Sequence, residues 1–162
     1  MNAPADVVKP DDRSFDSRDF WRVSRSIITK LPNTLHHPGV CACQNAGAKH
    51  FSDERKHPVY LVDLPTKSIS MTIGIIQPGQ HTNRHRHNYE SVIYVVKGKG
   101  TTFIEDHEII WKTGDAIYIP VWAWHHHKNR STSISCQYVA CENTPLLQNL
   151  GGIAVREEVN EL

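Results

Sequence analysis

The sequence lacks a long hydrophobic run, an excess of one charge and an abundance of cysteine, and each shortage excludes something. Nowhere do apolar residues accumulate to the ~20 that a helix needs to cross a bilayer, so no membrane span is expected. Lysine and arginine number 18 against 17 acidic residues, giving a formal charge of +1, and they are scattered. No basic stripe for nucleic acid or an anionic surface results, and the partner to expect is a small molecule. The N-terminal residues Met-Asn-Ala-Pro-Ala-Asp carry no basic patch with an apolar segment behind it. A cytoplasmic location is therefore expected. The four cysteines are Cys41, Cys43, Cys136 and Cys141. Free thiols suit a chain of 162 residues, which can bury roughly two-thirds of its unfolded surface without disulfides. Cys41-Ala42-Cys43 has no second thiol pair at structural-zinc spacing.

What the chain does have is histidine, eleven in all, with His85 and His87 in one group and His125, His126 and His127 in another. Imidazole is the commonest metal ligand, so these groups ask for a metal first. The organisation around them is that of a β protein. Residues 1–14 read as a loose polar arm. Residues 17–31 read as a short helix with Ser17 as N-cap and Phe20, Val23 and Ile27 on one face. The stretch 33–56 reads as irregular. After Pro58, short strands are expected over 59–64, 69–75, 91–97, 101–104, 108–111, 116–119 and 133–140, separated by turn residues. Over 69–75 Ile69, Met71, Ile73 and Ile75 alternate with small or polar residues, as in a strand with one buried face. Many short strands with little helix mean an all-β sandwich or barrel.

His85-Arg86-His87 puts both imidazoles on one side of a strand. Gly114 opens a strand that Pro120 ends, and His125 and Asn129 follow. In this pattern the chain resembles the cupin superfamily. Gly79, His85, His87 and Gly98 match the family's first motif, and Gly114, Pro120, His125 and Asn129 match its second, with Trp122 in place of the inner glycine. The resemblance covers about residues 70–140. It implies a single double-stranded β-helix, or jelly-roll, barrel over 57–145. Residues 1–56 would pack on the barrel, and 146–162 would form a C-terminal extension. It also implies a divalent metal on His85, His87 and His125.

One position departs from the family. Its carboxylate ligand belongs where this chain has Ser91, and Glu90 is one residue away. Strand parity turns Glu90 from the site, although a bulge after His87 would bring it back. Three neutral histidines are the expected ligand set. That set and the segment Trp122-Ala123-Trp124-His125-His126-His127 are similar to gentisate 1,2-dioxygenases. Those enzymes use three histidines on non-haem Fe(II) but carry two cupins. Here His126 replaces their Asp, and Ile93 replaces an Arg expected to pair with the substrate carboxylate.

The resemblance implies Fe(II), with Mn, Ni or Zn as other metals the same donors accept, and a substrate that supplies the electrons to O2. The expected activity is cleavage of a small dihydroxylated aromatic, gentisate- or hydroquinone-like. A Lewis-acid isomerase, decarboxylase or lyase is the alternative. So is a non-catalytic binding cupin, or the accessory subunit of a hetero-oligomeric dioxygenase. A homodimer is the expected assembly. His127 shares the parity of His125 and is the candidate base or substrate contact, unless it is a rim histidine bonded to water. Tyr89 and Ser91 are expected beside the ligands as hydrogen-bonding groups. Trp122 and Trp124 are expected to wall the pocket or pack in the core. Ile93 is expected to face the interior. With no cation facing it, a carboxylate there would cost several kcal/mol, so a diphenol without one is the expected preference.

Overall fold

The computed structural model describes residues 31–42, 49–50, 55 and 57–159. The expected arm over 1–14, all but the last residue of the helix expected over 17–31, and Cys43 lie outside the described residues. The chain divides into units Met1–Asn33 and Thr34–Leu162. Of the first, residues 31–33 are described and carry no regular element. All that follows concerns the second.

That unit is built from β1 (Lys49–His50), β2 (Val59–Leu61), β3 (Ser70–Ile76), β4 (Arg84–His87), β5 (Ser91–Lys97), β6 (Lys99–Ile104), β7 (His107–Lys112), β8 (Ala116–Ile119), β9 (His125–Asn129), β10 (Cys136–Glu142) and β11 (Arg156–Val159). A 3-10 turn (Val40–Ala42) and one helix, α1 (Thr144–Asn149), complete the described elements. The strands form two antiparallel sheets, ordered β1-β2-β3-β10-β5-β8 and β11-β4-β9-β6-β7. This is the expected all-β jelly roll. Among the described residues no helix is long and apolar enough to cross a membrane.

Between the sheets lies a core of Ile76, Ile93, Val95, Ile104, Trp111, Ile117, Ile119, Cys136 and Ala140. Full burial of an aliphatic or aromatic side chain of this size contributes roughly 1.5–3 kcal/mol. The turns that return each strand obey local chemistry. Gly114 sits at φ 94, a left-handed conformation that turns the chain from β7 in one sheet to β8 in the other and that only glycine adopts without cost. Asn129 ends β9 by donating through Nδ2 to the carbonyls of Ile76 (2.9 Å) and Ile134 (2.8 Å) and accepting from the Ser131 amide (2.8 Å). Its place in the motif is therefore a strand-end clamp.

Two sequence expectations are corrected here. In β3 the barrel interior receives Thr72, Gly74 and Ile76, not the alternating run of Ile69, Met71, Ile73 and Ile75. Periodicity located the strand, but the small residues face inward because the barrel keeps a cavity there. Ile73 is buried on the opposite face, while Ile69 is half exposed. The segment after residue 145, expected only as an extension, supplies α1 and β11. The latter pairs with β4, placing Arg156 opposite His87 and Glu158 opposite His85.

Candidate metal centre

His85 and His87 project from β4 into the barrel, and His125 comes from β9, whose register sets it directly opposite His85. All three are buried, and their ligand atoms lie within 4.8 Å of one another. The backbone fixes which nitrogen each ring presents. Nδ1 of His85 is 2.8 Å from the Asn83 carbonyl, Nδ1 of His87 is 2.7 Å from that of Tyr89, and Nδ1 of His125 is 2.8 Å from that of Ala123. A carbonyl only accepts, so each Nδ1 carries the hydrogen and each Nε2 offers a lone pair. Burial holds the pKa of His87 at about 4 and that of His125 at about 3, and it pushes His85 well below its ordinary value. Three neutral imidazoles with converging lone pairs are a donor set for a borderline divalent cation.

The expected neighbours divide into two groups. Ser91 and Ile93 line the cavity beside the histidines, as strand parity requires. Glu90 faces out, taking the Tyr118 hydroxyl at 2.7 Å. Tyr89 stacks flat on His87, ring centroids 4.1 Å apart, and burial raises its phenol to about 12. It braces the His87 ring. His127 lines the cavity and is held from behind: Trp111 Nε1 donates to Thr102 Oγ1 (2.9 Å), which lies 2.8 Å from His127 Nδ1. His126 turns outward onto Phe103.

Trp122 and Trp124 do not wall the pocket. They stand on the outer face of β4, where the Arg86 guanidinium lies 5.0 and 4.6 Å from their ring centroids and that of Arg84 lies 5.2 Å from Trp124. The parity that turns His85 and His87 inward turns these arginines outward, and the indoles follow them. Trp122 has φ 62, which explains why the family motif carries glycine at that position. Its amide donates to the His87 carbonyl at 2.7 Å, so the strained turn is tied to a histidine strand.

The sequence reading missed the opposite wall and the flank of the histidine wall. Arg55, His57, Tyr138, Glu142 and Arg156 line the same cavity of about 30 Å³. Glu142 lies across from Ser91 in the β10–β5 register, so a carboxylate sits one strand away from the family's ligand position. Burial raises its pKa, against the lowering influence of Arg55 and Arg156. Arg156 pairs with Glu158 at 2.9 Å. Glu158 accepts from Asn83 Nδ2 at 2.6 Å, and the Asn83 carbonyl orients His85. The expectation of a pocket without a cation is thus corrected: Ile93 is apolar as expected, but a guanidinium reaches the cavity from β11. Only the β11–β4 pairing could have revealed it, and nothing local to residue 156 signals that pairing.

Two sheets, a histidine triad on β4 and β9 and the two motif turns coincide with a match of residues 72–141 to the cupin domain model. This barrel is a cupin. Among curated proteins, the cupin chain is 32% identical over 88 residues to a 5-aminosalicylate 1,2-dioxygenase from Comamonas sp, covering 54% of this chain and 22% of that protein. It is 26% identical over 134 residues to gentisate 1,2 dioxygenase 1 from Aquipseudomonas alcaligenes, covering 73% and 39% respectively. The cupin therefore spans well under half the length of these relatives. Among solved structures, a salicylate 1,2-dioxygenase from Pseudaminobacter salicylatoxidans superposes with TM-score 0.57 at 18% identity, over 63% of this chain and 31% of that one. That likeness is one of fold.

Proposed function

We propose that this cupin is an Fe(II)-dependent dioxygenase that cleaves the ring of an ortho-hydroxybenzoate, a salicylate- or gentisate-like anion. The observation that carries the reading is one cavity joining three neutral imidazoles to the Arg156 guanidinium. The curated relatives support it, since the names of both include a 1,2-dioxygenase of such a compound. His85, His87 and His125 would hold the iron, which would supply Lewis acidity towards a substrate hydroxyl and redox chemistry with O2.

The residues of the chain do the rest. Arg156 has donors to spare after its bond to Glu158, and it can take the carboxylate. Two guanidiniums and a dication would share the cavity with Glu142, and Glu158 pairs with Arg156 at its margin, a balance that an anion improves. The pKa of Arg156 is already lowered by burial and then by Arg55, so like charges face one another there. Glu142 is placed to accept the proton that the substrate hydroxyl gives up. Ile93, Val59 and Ala140 add apolar lining beside the hydroxyls of Thr72 and Ser91.

The test is oxygen uptake by anaerobically purified, iron-loaded protein offered gentisate, salicylate and hydroquinone in turn. Uptake one-to-one with substrate, without NADH or 2-oxoglutarate, is expected, with the benzoates preferred over hydroquinone. Arg156→Met should reduce that preference at least tenfold. Turnover that persists unchanged without O2 would identify a Lewis-acid isomerase, decarboxylase or lyase instead.

A further inference from the structure

Tyr138 occupies a place built for it. Its partner in the β10–β3 register is Gly74, and a Cβ there would stand 2.0 Å from the tyrosine Cζ. Only glycine lets the ring lie against β3 with its hydroxyl in the cavity. That hydroxyl is 2.9 Å from His57 Nε2, and His57 Nδ1 is 2.7 Å from the Arg55 carbonyl. The carbonyl can only accept, so Nδ1 carries the imidazole hydrogen and Nε2 is left as an acceptor. The Tyr138 O–H must then donate to His57. Burial keeps His57 neutral, its pKa lowered to about 4, which preserves this arrangement at neutral pH.

The consequence is a phenol oxygen that faces the cavity as an acceptor only. Among the described residues, His57 is its one hydrogen-bond partner. Val59 and Ala140 line the cavity on the same sheet and offer no polar side-chain atom. The oxygen is on the six-stranded sheet, across the cavity from the histidines of the other sheet. We propose that Tyr138, polarised by His57, reads a hydrogen-bond donor on the substrate ring, favouring a hydroxyl or amino substituent over an acceptor such as nitro. This rests on the hydroxybenzoate reading above and deepens it by naming a residue that selects among ring substituents. Pairing an acceptor with an acceptor leaves both buried groups unsatisfied, which corresponds to discrimination on the order of tenfold to a hundredfold.

The experiment uses anaerobic, iron-loaded protein, so that binding is read without turnover, and salicylates bearing amino or nitro groups at the 4- and 5-positions. Dissociation constants are measured for the wild type, Tyr138→Phe and His57→Phe, followed by kcat/KM in air. Nitro groups also acidify the phenol, so the quantity of interest is how the amino-to-nitro ratio changes between proteins. Tyr138→Phe, which removes one oxygen, should reduce the ratio about tenfold or more. His57→Phe frees the tyrosine proton to point into the cavity, and should improve the nitro compounds specifically. An unchanged ratio in Tyr138→Phe at both positions, with tight binding retained, overturns the proposal alone. Failure of the wild type to bind any of the four overturns the hydroxybenzoate reading and this inference with it.

Discussion

The wall that carries the histidines and the wall that faces it are assembled from different distances along the chain. His85, His87 and His125 come from two paired strands, and each ring is oriented by a carbonyl two residues away. Their geometry is nearly a local property, written in parity and short spacings. On the facing wall, Arg55, His57, Tyr138 and Glu142 instead gather from a segment before β2 and from β10, and Arg156 joins the histidine wall from β11, beside His87. Their positions depend on sheet order. The histidine wall and the facing wall are thus specified at different ranges of the sequence, and no motif reports the second.

The sharpest way to break this comparison is to remove a histidine. His85→Ala, His87→Ala and His125→Ala should each abolish stoichiometric iron, measured by elemental analysis, while His126→Ala retains it. A His125→Ala protein with full metal content would remove the distinction between the walls.

Acid should unsettle both walls together in protein kept free of metal. His57 and His87 are held at about 4 and His125 at about 3, below the 6.5 of an unfolded histidine. The unfolded chain therefore binds more protons below pH 6.5. Stability is full above that pH and is lost as pH falls through 6.5 towards 4, continuing towards 3 for His125. At about 1.4 kcal/mol per pKa unit, His57 and His87 each account for about 3 kcal/mol of the loss. Urea midpoints across pH 7 to 4 measure it; a flat profile would mean the rings are not buried as neutral groups.

The two carboxylates flanking position 91 give a finer contrast. Glu90→Gln should leave both metal and substrate binding nearly unchanged, because the side chain is bonded on the outer face. Glu142→Gln should keep the metal yet release close to one more proton to buffer on gentisate binding, read from calorimetric heats in buffers of different ionisation enthalpy. Equal proton release by variant and wild type would exclude Glu142 as the acceptor.

The smallest effect is expected outside both walls. Trp122→Gly removes a left-handed strain of roughly 1–3 kcal/mol and loses an arginine stack of about 0.5–1 kcal/mol. Glycine's greater freedom in the unfolded chain takes back up to about 1 kcal/mol. A thermal midpoint shifted by only a few degrees, with metal content intact, is the expected result.

These contrasts also mark how much was legible in advance. The strands and the inward turn of His85, His87, Ser91 and Ile93 follow from two-residue periodicity, which is local, and the jelly roll follows from the resemblance of the two motifs to the cupin family. Trp122 and Trp124, expected to wall the pocket or pack in the core, instead stack with Arg84 and Arg86 on the other face of the sheet, a pairing that no motif signals. In β3 the same periodicity gave the strand but the wrong inward face, since alternation does not say which side holds a cavity. Arg156 and Glu142 were invisible because a register between strands far apart in sequence cannot be read from either strand alone.

Arg156 stands on β11, and β11 is the edge of its sheet, hydrogen-bonded to β4 alone. By contrast β9 is paired on both sides. Edge backbone amides open at lower free energy than interior ones, so amide exchange in β11 should outpace that in β9. The cavity holds about 30 Å³, whereas one that takes benzene is of the order of 150 Å³. An aromatic guest must therefore displace part of its surroundings. The strand with one neighbour gives way most cheaply, and it carries the guanidinium that then closes on the carboxylate. Recognition and admission would reside in one element, and a ligand that lacks the anion would let the edge fray open again.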